Sequence, residues 1–147
     1  MFKHIMVATD LSVGAKNATI KAVQIAHQFN SKITILNVHE EFMDKEEMEM
    51  LRVSVKELQE KFREIAIEAK TEIKSLLNEL HANDIDTEIM LREGTPSKEI
   101  LKNAKDLKID LIVIGTNGKD TLYELILGST AKNVTRNSHC PVLTVPS

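Results

Sequence analysis

Three short runs of almost unbroken apolar residues constrain this chain most: His4–Thr9, Ile33–His39 and Leu111–Gly115. A strand with water on one face alternates apolar with polar residues. Runs apolar at nearly every position belong to strands covered on both faces, as in a parallel sheet between helical layers. Two weaker runs, Thr87–Arg92 and Val142–Val145, complete a set of five. Helical patterns separate them. Ala15, Ala18, Ala22, Ile25, Ala26 and Phe29 keep to one face of a helix. Ile100, Leu101, Ala104 and Leu107 do the same after Thr95-Pro96, where proline suits the first turn. Leu122, Leu125 and Ile126, followed by Ala131 and Val134, form the last helical stretch. Alternating strands and helices predict an α/β fold with right-handed crossovers.

The length, 147 residues, fits one domain spanning 1–147, and no low-complexity linker divides it. A net charge of −3 gives no bulk attraction to nucleic acid, and an aromatic content of 3% gives no base-stacking platform. Cys140 is alone, which excludes an intrachain disulfide or cysteine zinc site; next to Pro141 it is expected to be a small buried residue. The five histidines show no metal spacing, so no metal site is expected. No apolar run approaches the ~18 residues of a membrane span, and the N-terminal apolar run is too short for a secretory signal. A cytoplasmic protein is expected.

Between Met48 and Leu80 apolar residues recur in steps of three and four: Leu51, Val55, Leu58, Phe62, Ile65, Ala69, Ile73, Leu76. A continuous helix there would be roughly 50 Å long at ~1.5 Å per residue. Typical strands span only ~20 Å. The helix must therefore break, project beyond the sheet, or pack on another subunit; its densely charged start, Glu40 to Glu57, has the composition of a loose flap.

The stretch after the fourth strand holds the chemistry. Gly115-Thr116-Asn117-Gly118 leaves a buried strand, and after nine intervening residues Gly128-Ser129-Thr130 opens a helix. Glycines let main-chain N–H groups approach a ligand, and a helix start adds free donors and a positive dipole end. The spacing does not match a P-loop, which needs four residues between its glycines and then Lys-Ser/Thr; nor is Gly-x-Gly-x-x-Gly present. Gly115 and Gly118 alone would equally serve a tight turn, Asp10 would equally cap the first helix, and Lys119 suits a solvated loop charge.

Gly115-x-x-Gly118, nine residues, then Gly128-Ser129, together with the opening Ile5-Met-Val-Ala-Thr-Asp10 and the closing Asn137-Ser-His-Cys-Pro-Val-Leu-Thr-Val145, resembles the universal stress protein superfamily in its ATP-binding branch, over essentially the whole chain. The resemblance implies an open, twisted, parallel five-stranded sheet of order 3-2-1-4-5 with helices on both faces, of the adenine nucleotide alpha hydrolase-like type. Strands 1 and 4 then become neighbours, and ligands in such sheets sit beyond the C-terminal ends of strands where the order reverses. It further implies that Ala8, Thr9, Asp10 and the backbone at Val38 hold adenosine. Gly115, Thr116, Gly118, Gly128, Ser129 and Thr130 would wrap ribose and phosphates. The implied ligand is ATP, accompanied by Mg²⁺ or Mn²⁺ or free of metal, and the implied assembly is a homodimer through Val142–Val145. Two positions depart from the family pattern: Asn117 stands where relatives often have His, and Leu11 where many have Gly.

Hydrolysis needs a positioned water and usually a protein-held Mg²⁺. Asp120 and Glu124 in the insert are the acids placed to supply either, and no catalytic base is recognisable. The expectation is a nucleotide-responsive regulatory protein with at most slow ATP hydrolysis. An adenylate-forming enzyme would carry a Ser-Gly-Gly-type loop after strand 1, whereas Thr9-Asp-Leu-Ser-Val-Gly14 stands here. The nucleotide-free dimeric branch lacks the glycine spacing.

Overall fold

The computed structural model describes residues 1–40, 44–117 and 127–147. Strands β1 (His4–Thr9), β2 (Lys32–His39), β3 (Thr87–Glu93), β4 (Leu111–Gly115) and β5 (Val142–Val145) form one parallel sheet of order β3-β2-β1-β4-β5. The helices are α1 (Val13–Phe29), α2 (Lys45–Leu51), α3 (Val55–Glu79), α4 (Pro96–Asp106) and α5 (Ser129–Asn137). The α/β class, the strand order and the limits of β1, β4 and β5 match the sequence expectation. β2 and β3 each gain one residue, Lys32 and Glu93.

Strand alternation sorts the core into two layers. Ile5, Val7, Ile33, Ile35, Leu111 and Val113 point to one face, where Ala18, Ala22 and Ala26 of α1 and Ile73 of α3 cover them. Met6, Ala8, Leu36, Ile112 and Ile114 point to the other, under Ile100 and Ala104 of α4 and Ala131 and Val134 of α5. Both faces of the central strands are therefore dry, which is why their sequence lacks polar alternation. The small alanine face lets α1 approach the sheet closely. Phe29, expected on that buried face, is instead 44% exposed at the rim, edge-on to Phe2 with ring centroids 5.6 Å apart.

The long helical pattern breaks. α2 ends at Arg52, which adopts left-handed backbone (φ 55°), and α3 restarts on a capping box. In that box Ser54 Oγ accepts from Glu57 N, and the Glu57 carboxylate accepts from Ser54 N. Only Ala69 and Ile73 of α3 are buried, so no residue of its N-terminal half enters the core. The expected helical positions Leu122, Leu125 and Ile126 lie outside the described residues, as do Gly118, Lys119, Asp120 and Glu124. Cys140 is half-buried against the α4/α5 layer, where Ser138 Oγ accepts from its backbone N–H.

Candidate functional site

β1 has β2 on one side and β4 on the other, and the chain leaves these strands in opposite directions across the sheet. That opens a crevice at their C-terminal ends, the switch point of the fold. The turn out of β1 is wound by three successive side chain–backbone bonds. Leu11 N donates to Thr9 Oγ1, Ser12 N to Asp10 Oδ1, and Ala15 N to Ser12 Oγ. Ser12, not Asp10, is thus the cap of α1; Asp10 holds the peptide before it. Leu11 takes φ 67°, the left-handed conformation that glycine adopts without strain. Fully buried Asn37 fixes the floor by donating through Nδ2 to the Thr9 carbonyl at 2.8 Å.

Across the crevice, Gly115 ends β4 against the first turn of α1. A Cβ on Gly115 would stand 2.8 Å from Gly14 C and 2.9 Å from Gly14 O, and one on Gly14 would stand 2.8 Å from Asn117 O. These glycines are required by backbone meeting backbone, a reason the spacing alone does not reveal. Thr116 then ties the turn to its surroundings: its N–H donates to Val145 O at 3.0 Å and its carbonyl accepts from Gly128 N at 2.7 Å. Residues 116 and 128 are thereby held together at the start of α5. Gly128 is the N-cap, with no side-chain cap bond and no acid in the first turn, which leaves the helix start open to an anion.

These elements enclose a cleft of about 310 Å³, within the size range of small-molecule sites. Ala8, Thr9, Asp10, Val38, Gly115, Thr116, Gly128, Ser129 and Thr130 all line it. Of the expected site residues, Gly118 lies outside the described residues. The sequence did not single out the opposite wall: Leu36 of β2, Ile114 of β4, and Pro96 and Ile100 of α4. Pro96 and Ile100 carried only a helix-start and core signal, because a crossover's position over the sheet is a tertiary fact.

The lining combines two chemistries. Ala8, Leu36, Val38, Pro96 and Ile100 make an apolar slot suited to a planar base. Thr116, Asn117, Ser129, Thr130 and the α5 start present hydroxyl and N–H donors. Thr116 Oγ1 is buried with no hydrogen-bond partner among the described residues, an arrangement that leaves a donor available to a ligand. The lining carries the carboxylates of Asp10 and Glu40 and no Lys or Arg among the described residues. This donor set fits an adenine nucleotide. No group of metal-ligating side chains occurs among the described residues, and no described helix is long and apolar enough to cross a membrane.

Residues 1–146 match the model of the universal stress protein family. The chain belongs to that family. It is similar to Universal stress protein MJ0531 of Methanocaldococcus jannaschii, at 35% identity over 99% of this chain and 82% of the relative. The solved structure of protein MJ0577, from the same organism, superimposes with a TM-score of 0.80 at 29% identity, covering 99% of this chain and 96% of that one. A universal stress protein crystallised in complex with cAMP superimposes with a TM-score of 0.64 at 25% identity, over 99% and 97% of the two chains. Family membership and sheet order thus agree with the resemblance in the glycine spacing.

Proposed function

We propose that the cleft binds ATP or a related adenine nucleotide, and that binding, rather than turnover, is the activity of the protein. The base would occupy the slot between Ala8, Leu36, Val38, Pro96 and Ile100, with Asp10 beside the ribose. The phosphates would take the Gly115–Asn117 turn, the Thr116 hydroxyl and the N–H groups that open α5. The observation carrying this reading is the uncapped α5 start facing the same cleft as an apolar slot. The cAMP complex of a family member supports the ligand class.

The charge of the cleft limits its chemistry. The two carboxylates repel a bare polyphosphate, so ATP would enter with Mg²⁺ or Mn²⁺ on its own oxygens. In this reading any hydrolysis is slow; Asp120 and Glu124, the acids expected to serve it, lie outside the described residues. A ligand that orders the cleft and its neighbouring segments changes what partners meet, which is a regulatory role in the cytoplasm. The exposed edge of β5, where Leu143 is 36% exposed, supports homodimerisation through Val142–Val145. Denaturing the purified protein and identifying the released small molecules by mass spectrometry tests the ligand. An adenine nucleotide at near-stoichiometric yield is expected, and a different ligand class sinks the reading. Sedimentation at micromolar concentration tests the dimer, and a monomer there removes it.

A further inference from the structure

β2 keeps an amide where its neighbours are apolar. Asn37 is fully buried and follows Ile33 and Ile35 on the face of the sheet that α1 and α3 cover. Leu36 and Val38, on either side of it in the chain, point the other way and line the nucleotide cleft. Asn37 itself does not line it. A buried amide costs stability unless its polar atoms are paired. Here the nitrogen is paired, donating to the Thr9 carbonyl at 2.8 Å, while Oδ1 is buried with no hydrogen-bond partner among the described residues. A leucine of similar volume would carry no such cost, so packing alone does not account for this residue. The bond to Thr9 does.

Thr9 is where β1 leaves the sheet. Its pairing with Asn37 is the last of the β1–β2 ladder. Beyond it Leu11 N turns back on Thr9 Oγ1 and Ser12 N on Asp10 Oδ1, and Leu11 takes left-handed backbone. A non-glycine residue in that conformation is strained and persists only where its surroundings hold it. The bonds at Leu11 and Ser12 are internal to the turn and would move with it. The Asn37 amide instead ties the peptide between Thr9 and Asp10 to the neighbouring strand. Asp10 lines the cleft, and a carboxylate can accept from two hydroxyls only when its orientation is fixed. We infer, on the nucleotide reading above, that Asn37 is a positioning residue: from the far face of the sheet it fixes the Thr9–Asp10 peptide, and through Asp10 it sets how well the cleft reads the ribose hydroxyls.

The test is calorimetric titration of wild type and Asn37→Leu with ATP and with 2′,3′-dideoxy-ATP, each with Mg²⁺. Wild type should prefer ATP by about tenfold, the worth of a hydrogen bond to a carboxylate. In Asn37→Leu the affinity for ATP should fall about tenfold and that for dideoxy-ATP less than about threefold, so the preference collapses. Asp10→Asn should lower the same preference, and adding Asn37→Leu to it should lower it no further. Circular dichroism checks the fold, and Asn37→Ala, which deletes the amide without adding volume, serves where the leucine variant does not fold. Equal loss of both ligands would overturn the inference in favour of a general loosening, and unchanged ATP affinity would overturn it outright. A wild type that binds both nucleotides alike would overturn it while leaving the cleft a nucleotide site. A wild type that binds neither would overturn the nucleotide reading and this inference with it.

Discussion

Replacing Ser129 by Asp separates the stability of α5 from its proposed duty toward phosphate, because the two respond with opposite sign. Ser129 is the first residue of α5, is exposed, and lines the cleft. The helix has no acid in its first turn and no side-chain cap bond. A carboxylate there complements the dipole and should stabilise the fold by about 0.3–1 kcal/mol. The same carboxylate opposes any phosphate held by the α5 N–H groups. At an effective dielectric near 20 and a separation of about 6 Å, Coulomb's law gives close to 3 kcal/mol per unit of phosphate charge. Mobile ions and a bound divalent cation lower this to about 1.4–2.7 kcal/mol, so affinity should fall roughly 10- to 100-fold. Calorimetric titration with ATP and thermal unfolding of the same preparations measure both effects, with Ser129→Asn as the near-isosteric neutral control. The expected outcome is an unchanged or slightly raised Tm with the affinity loss confined to Asp. Undiminished ATP binding by a stable Ser129→Asp protein would refute the placement of phosphate at α5.

Gly115→Ala should destabilise the fold by about 1–3 kcal/mol, since its Cβ would press on the Gly14 backbone at 2.8 Å; the shift of the urea midpoint measures it. Asp110 accepts backbone N–H bonds from Lys3 and His4, stapling the start of β1 to that of β4; Asp110→Ala should cost about 1–3 kcal/mol in the same assay. Burial first, and then the Lys32 ammonium, hold the His4 imidazole below its ordinary range. The fold therefore prefers neutral His4. Its contribution is complete above the unfolded-state value of about 6.5 and is lost as pH falls through that value toward the folded one. Tm should decline more steeply below pH 6.5 for the wild type than for His4→Gln, and parallel profiles would remove the effect.

The fold was legible wherever burial is two-sided. Runs such as Ile5–Ala8 and Leu111–Ile114 cannot face water anywhere, so their limits follow from hydropathy. The order of the strands came from the family resemblance, because periodicity within a strand is silent about its neighbours. The break before α3 had a signal, Ser54-x-x-Glu57, which the longer run of three- and four-residue steps concealed. Its other half, left-handed Arg52, had none, since no glycine marks it. At the site, Asp10 and the glycines were legible as types, but their local duties differ from the simplest expectation. Ser12 caps α1, and Gly115 is small for the sake of Gly14. The apolar wall from α4 depends on packing across the sheet, which residues at Pro96 and Ile100 cannot announce on their own.

Whether the crevice between β1 and β4 holds an adenine nucleotide is decided by one titration. The protein, refolded free of small molecules, is titrated calorimetrically with ATP in the presence of Mg²⁺. Saturable binding of one nucleotide per chain at micromolar affinity, displaced by AMP and weakened by Ser129→Asp, is expected. Absence of binding up to millimolar ATP, by protein whose circular dichroism and sedimentation match the native state, would mean that the crevice is not a nucleotide site.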